Sequence, residues 1–241
     1  MFGTEVNFFD ERSPADRFKT AQIYHRLKEL LLFQKIPPRT KLDIGALAHR
    51  LRVSKTPVRE ALIMLAEERI IQVLPGSGYF SKALKAAEIA EDYEVAFAVL
   101  KHIITAHIRS FAGAGLPRLT PEPNVAHDII QNVGSYAEFI EELLEAIVSI
   151  GGNELSLQMI RSFNCRTAFI RQLDLQQPVR FAQISSVVEE LIERLEHADT
   201  DGAIDRLERL YKEKIALLHH LVAEGNRRAM ASGARWEDLV H

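Results

Sequence analysis

Ten consecutive residues, Val53-Ser54-Lys55-Thr56-Pro57-Val58-Arg59-Glu60-Ala61-Leu62, constrain this chain more tightly than any other stretch. Val53 can plug the gap between two helices, Ser54 or Thr56 can cap the helix that follows, and Pro57 fits its first turn, where a missing N–H costs no intrahelical bond. The helix start is therefore preset. Ala61, Leu62 and Leu65 then share one face and pack inward, which leaves Lys55, Thr56 and Arg59 on the opposite, N-terminal surface. A helix built this way can enter the major groove of duplex DNA with its first turns leading. Arg pairs bidentately with guanine O6 and N7 there, while hydroxyls and unpaired N–H groups hold phosphate.

A single basic side chain on a helix would signify only solvation, so the flanking order matters. Ile23, Leu27, Leu30 and Leu31 recur at helical spacing between Ala21 and Phe33, and Pro37-Pro38 forces an extended segment after them. A short helix over Ile44 to Leu51, a tight turn at Arg52 to Ser54 and a second helix from Thr56 to about Arg69 follow. The β-branched run Ile70-Ile71-Gln72-Val73-Leu74, then Pro75-Gly76-Ser77-Gly78 and Tyr79-Phe80-Ser81, predicts a small hairpin with a flexible tip. Two helices across a turn followed by a Gly-rich hairpin make a winged helix-turn-helix. Residues 1–16 show no periodicity and are expected to form a flexible arm.

From Ala86 onward the pattern is helical, with segments predicted at about 87–112, 122–133, 135–150, 153–173, 179–197 and 200–225. The separators suit helix ends: three prolines between Gly113 and Pro123, the stop Gly151-Gly152, Pro178 as a helix opener, and Ala198-Asp199-Thr200-Asp201 as N-cap chemistry. The fold class expected is mainly α, an N-terminal winged helix-turn-helix with a β-hairpin wing joined to a C-terminal antiparallel helical bundle. The domain limits are 1–16 for the arm, 17–82 for the DNA-binding domain, 83–228 for the helical domain and 229–241 for a C-terminal tail. Of the 30 Lys and Arg and 33 Asp and Glu in 241 residues, residues 1–82 hold 14 and 9 and the remainder 16 and 24, or +5 against −8. A basic small domain suits phosphate, and an acidic remainder suits regulation or dimerisation. No apolar run reaches bilayer length and no secretion signal opens the chain, so a cytoplasmic location and no membrane partner are expected. Cys165 is the only cysteine, which excludes an intrachain disulfide and a cysteine-rich zinc site.

The stretch from Ile23 through Pro38-Arg39-Thr40-Lys41-Leu42, Leu47-Ala48, the ten-residue motif and Pro75-Gly76-Ser77-Gly78 resembles the GntR family of bacterial transcription regulators. The resemblance covers about residues 20–82. It implies that Ser54, Lys55, Thr56 and Arg59 contact bases and phosphates, and that Ser77 and Gly78 form a wing tip approaching the minor groove. Lys55 stands where the family usually has Arg, exchanging a planar fork for a point charge, and Ser77 stands where a wing Arg is common.

The helical remainder is similar to the FCD-type effector domain found in one branch of that family, through Asp92-Tyr93-Glu94-Val95, Phe139, Gly152-Asn153-Glu154-Leu155 and the pattern ending in Ala203, Leu207 and Leu210. Many such domains hold a divalent metal through an Asp and three His. The resemblance places Tyr136, Ile140, Val188 and Leu210 at those four positions, and Ala96 where an Arg often meets an effector carboxylate. No metal and no cofactor are therefore expected. An aliphatic interior disfavours an unpaired ionic ligand, leaving two readings open: an apolar pocket for a small organic effector, lined by Ala96, Tyr136, Ile140, Val188 and Leu210, or a filled core. Glu138, Glu141, Glu142 and Glu145 form an acidic stripe expected to be a solvated face, and Arg161, Arg166 and Arg171 are expected to make exposed ion pairs.

The function these residues imply is a sequence-specific transcription regulator, a repressor, binding a palindromic double-stranded operator as a homodimer, with a small-molecule effector as a further partner. The rivals are an architectural DNA-binding protein and a helical enzyme carrying a DNA-binding module. No phosphate loop, Gly-x-Ser-x-Gly elbow or His-Glu-x-x-His favours the enzyme, and no catalytic residue is assigned.

Overall fold

The computed structural model describes the backbone of residues 14–119 and 129–231 and the side chains of residues 17–119 and 133–231. The chain divides into two compact units, residues 1–83 with 228–241, and residues 84–227.

The first unit holds α1 (Pro14–Leu32), α2 (Ile44–Leu51), α3 (Lys55–Glu67) and an antiparallel hairpin, β1 (Ile71–Leu74) with β2 (Gly78–Ser81). Helix α1 begins at Pro14, ahead of the expected start near Ala21, so the last residues assigned to the arm are helical; the rest of the arm lies outside the described residues. The pattern of apolar residues alone missed this turn because Pro14 to Lys19 carries few of them. Ile23, Leu27, Leu30 and Leu31 of α1, Leu47 of α2 and Val58, Ala61, Leu62 and Leu65 of α3 form one core with Ile36, Leu42 and Ile71. Each helix thus buries the stripe its spacing predicts.

Asp43 caps α2, its carboxylate accepting from the Ala46 N–H at 2.8 Å. The helix ends on Arg52, which adopts the left-handed conformation (φ 54°) and donates its N–H to the carbonyls of Ala48 and His49. That turn is what reverses the chain into α3. In the hairpin, Pro75 and Gly76 occupy the two central positions of a turn closed by the Ser77 N–H to the Leu74 carbonyl at 2.9 Å, and Gly76 at φ 73° supplies the positive φ that a type II turn requires. The segment after Pro37-Pro38 joins the wing through an isolated antiparallel bridge, Lys41 opposite Phe80. The Leu42 N–H donates to the Tyr79 carbonyl at 2.9 Å and the Ser81 N–H to the Thr40 carbonyl at 3.0 Å.

The second unit holds α4 (Ala86–His107), a single 3-10 turn (Ile108–Ser110), α5 (Ile129–Ser149), α6 (Glu154–Leu175), α7 (Pro178–Glu196) and α8 (Thr200–Ala231) up to Arg227, the residues from Arg228 on being counted with the first unit. Leu100, Ile104, Phe111, Leu143, Ile147, Ile160, Val188, Leu191, Leu195 and Ala203, drawn from all five helices and the segment after α4, share one core. A second cluster gathers Ile89, Ile170, Leu173, Leu218 and Leu221. Two expectations need correction. The break expected near Gly134 does not exist, because α5 runs unbroken through it; Val133, Tyr136 and Ala137 bury around it and outweigh the ~1 kcal/mol cost of a helical glycine. Most of the helix expected at 122–133 falls outside the described residues. Helix α8 continues to Ala231, past the expected end near 225 and into the expected tail, since Ala229 is still buried. Residues 232–241 lie outside the described residues.

Candidate nucleic-acid interface and bundle cavity

Helix α3 presents two opposite surfaces. Val58, Ala61, Leu62 and Leu65 are fully buried, whereas Ser54, Lys55, Thr56 and Arg59 are exposed around the first turns. Ser54 occupies the N-cap position with extended backbone (φ −70°, ψ 165°), yet its hydroxyl makes no capping bond, and Thr56 lies inside the helix. The capping expected of these residues is therefore absent. The physical result is useful for binding: the first-turn N–H groups lack a side-chain acceptor and carry the positive end of the helix dipole toward solvent. Among the described residues neither Lys55 nor Arg59 holds an ion pair, so both cations can meet an external anion without first breaking an internal contact.

The other face of α3 is fixed to α1. The Thr20 hydroxyl donates to Glu60 at 3.0 Å, and Lys28 donates to Glu68 at 2.6 Å and to the Tyr24 hydroxyl at 2.7 Å. Tyr24 in turn donates to Glu68. Burial, then the bond to Glu68, push the Tyr24 phenol above its ordinary value, so it remains a donor at neutral pH. Acidic side chains of α3 are thus drawn toward α1.

In the wing, Ser77 is exposed at the tip and Gly78 adopts φ 103°. A Cβ at Gly78 would approach only the Lys41 side chain, at 3.9 Å from Cε. This places a further cation beside the wing, and Arg39, also exposed, sits two residues before it with φ 64°. Neither residue carries a motif of its own that assigns it a role. Their signal was their place in the extended segment after Pro37-Pro38, which becomes an edge of the wing.

In the second unit, a cavity of about 110 Å³, partly open to solvent, lies between the helices. Ala96, Ile140, Val188 and Leu210 all reach its wall, from α4, α5, α7 and α8. Tyr136 does not. Its ring packs on Phe139 and Phe181 with centroids 5.5 and 4.8 Å away, and its hydroxyl is buried with no hydrogen-bond partner among the described residues. Burial, with the Glu189 charge adding to it, pushes that phenol far above its ordinary value.

The wall is not purely aliphatic, contrary to the interior expected from the aligned positions. Arg171, Arg180 and Lys214 line it as well. Arg180 Nε donates to the fully buried Asp174 at 3.0 Å and its NH1 group to Glu213 at 2.8 Å, while Lys214 also donates to Asp174. Burial by itself would raise the Asp174 carboxyl, but the Arg180 bond and the Lys214 charge and bond outweigh it and hold the group below the usual carboxylate range. Arg171 donates to Glu141, to Asn164 at 3.3 Å and to Thr167 at 3.0 Å.

The acidic stripe on α5 is accordingly not a uniformly solvated face. Glu141 pairs with Arg171 and Glu145 with Arg161, and Arg166, expected to pair in the open, grips half-buried Asp92 with its Nε at 3.1 and 3.0 Å. Sequence spacing located these residues but could not say which side of each helix a neighbour would cover. His102, His219 and His220 are exposed, and among the described residues no three His, Cys, Asp or Glu gather at metal-binding distance. His127 and Asp128 lie outside the described residues.

Residues 19–80 match the family model for bacterial regulatory proteins of the gntR family. The Nta operon transcriptional regulator of Aminobacter aminovorans is 30% identical over 142 residues, covering 58% of this chain and 67% of that protein. The chain belongs to the GntR family. The HTH-type transcriptional repressor RspR of Escherichia coli K12 is 37% identical over 68 residues, 28% of this chain and 30% of its own. The chain spans about a third of one further curated relative and about half of another. A GntR transcriptional regulator from Rhodococcus sp. RHA1 has the same fold, with a TM-score of 0.61 at 16% identity over 84% of this chain and 98% of that one. The exposed residues of α3 and the wing therefore belong to a GntR helix-turn-helix domain. No helix among the described residues is long and apolar enough to cross a membrane.

Proposed function

We propose that this protein is a sequence-specific transcription regulator that binds a palindromic operator as a homodimer and acts as a repressor. The observation that carries the reading is the uncapped first turn of α3, with Lys55, Thr56 and Arg59 exposed around it and, among the described residues, no ion pair on Lys55 or Arg59. Arg59 reads base edges in the major groove, Ser54, Lys55 and Thr56 hold phosphate or bases, and Ser77 and Gly78 bring the wing to the minor groove. Residues 17–82 are the reading domain, residues 83–228 an FCD-type effector and dimerisation domain, and the protein works in the cytoplasm without a catalytic role. Two-fold doubling suits a reader whose single helix makes few base contacts. Repression is supported by the relative that carries the name of a repressor. An effector in the bundle acts only as far as it favours one arrangement of the dimer over another.

The test is a gel-shift titration at fixed salt, comparing an operator selected from a random pool with unselected DNA. A regulator prefers the operator by about 10³-fold or more. Equal affinities make the protein a sequence-indifferent architectural binder and overturn the proposal, because phosphate contacts alone do not distinguish sequences.

A further inference from the structure

The wing tip, Pro75-Gly76-Ser77-Gly78, carries no cation of its own, although the reading above brings it to the minor groove, a channel about 6 Å wide walled by phosphates. Its two glycines leave it little more than backbone. A cation reaches it from elsewhere in the chain. Lys41 stands opposite Phe80, and its Cε lies 3.9 Å from the place a Cβ on Gly78 would occupy. The stem of Lys41 therefore runs along β2 toward the tip, with the ammonium one bond beyond.

Nothing inside the described protein claims that charge. Lys41 is exposed and, among the described residues, holds no ion pair. Residues 30–42 and 69–83 hold five cations, Lys35, Arg39, Lys41, Arg69 and Lys82, and no Asp or Glu, so no carboxylate of the wing or its edge draws Lys41 inward. Asp43, two residues on, is engaged with the Ala46 N–H at 2.8 Å. The segment that carries Lys41 is fixed by the buried Ser81 hydroxyl, which accepts from the Thr40 N–H at 2.9 Å and donates to the Pro37 carbonyl at 2.5 Å. Together with the Leu42 N–H on the Tyr79 carbonyl, these bonds lock the register of Lys41 against β2. Arg39 is held at the opposite end of that strand, its N–H on the Ser81 carbonyl at 3.1 Å, away from the tip.

We propose that Lys41 supplies the charge the wing tip lacks, its ammonium holding one backbone phosphate at the mouth of the minor groove while Gly78 keeps the tip slim enough to enter. This rests on the operator-binding reading above and assigns a contact to a residue which that reading leaves without one. A compact ammonium with three rotatable donors on a flexible stem suits a phosphate better than the fixed donor and acceptor pattern of a base edge. Lys41 therefore contributes affinity and register without sequence preference, and Arg59 contributes the preference. The two roles separate experimentally, because a phosphate contact shows itself in the salt dependence of binding and a base contact in the ratio between sequences.

The experiment is a fluorescence-anisotropy titration of the full-length protein on the selected operator and on unselected duplex, repeated from about 50 to 200 mM salt. Lys41→Gln should make the slope of log affinity against log salt shallower by about 0.9, the counterion release tied to one phosphate, on both duplexes and with their ratio unchanged. Lys41→Arg keeps the charge and should restore the wild-type slope. Arg39→Gln removes an equal charge from the same segment at the end away from the tip, and should leave the slope as it is. Since Lys41 is exposed, the thermal transition of Lys41→Gln should match that of wild type, which separates a lost contact from a lost fold. An unchanged slope in Lys41→Gln, an equal change in Arg39→Gln, or a loss confined to the operator overturns the proposal. The two failures are distinguishable: a wild-type protein that prefers the operator while Lys41→Gln keeps its slope refutes only the role of Lys41, and a wild-type protein with no preference for the operator refutes the regulator reading.

Discussion

Replacing Asp174 by Asn probes the most tightly determined charge in the bundle. The carboxylate is wholly buried and serves two cations, but these depend on it unequally. Arg180 retains Glu213 at 2.8 Å after the change, whereas no other carboxylate pairs with Lys214 among the described residues. Breaking a buried pair from one side costs about 3–5 kcal/mol, most of it the penalty for the charge left behind. Asn keeps an acceptor oxygen, so the lower end, about 3 kcal/mol, applies. For a unit of this size that corresponds to a fall of roughly 6–12 °C in the bundle transition, read by scanning calorimetry of the full chain. Adding Lys214→Met removes the stranded charge and should recover at least half the loss. The pH dependence has a defined sign. Asp174 titrates below its ordinary range, so its contribution is complete above about pH 4 and is lost as the pH falls through the lower, folded-state value; wild type and Asp174→Asn should converge there. A loss under about 1 kcal/mol, or strictly additive losses in the double variant, refutes the argument that Asp174 holds Lys214 charged inside the bundle.

In the first unit, Leu65→Ala removes a fully buried side chain between α1 and α3 and should cost about 2–5 kcal/mol, seen as lost hydrogen-exchange protection in residues 19–80 with the Leu143 to Ile147 core unchanged. Arg52→Gly relieves a left-handed backbone that a side chain tolerates poorly and should stabilise the same unit by about 0.5–1 kcal/mol in urea denaturation.

The reading unit was legible because its signals are local. Helical spacing placed Leu27, Leu62 and Leu65 in one core, Pro75-Gly76 specified the turn of the wing, and the start of α3 fell within a residue of its expected place. The missing Ser54 cap shows the limit of such rules: residue type and backbone fit the position, and the hydroxyl still turns elsewhere. In the bundle, the aligned positions Ala96, Ile140, Val188 and Leu210 converge on one cavity, although each is an ordinary packing residue taken alone. What spacing could not supply was the cationic part of the wall. Arg171, Arg180 and Lys214 lie on three different helices; Arg180 and Lys214 meet at Asp174 while Arg171 pairs with Glu141, and this depends on how α5, α6, α7 and α8 pack. Tyr136 was misjudged for the same reason, since a shift in facing sends its ring to Phe181 and away from the cavity.

The central claim is that the N-terminal end of α3 lies in the major groove with Arg59 against a base. Titrating the selected operator with wild type and Arg59→Ala at one salt concentration measures it directly. Arg59 is exposed and outside the core, so the variant should keep its thermal transition while losing about 1–3 kcal/mol of operator affinity and much of its preference over random DNA. A folded Arg59→Ala protein that binds the operator as tightly and as selectively as wild type would contradict the account.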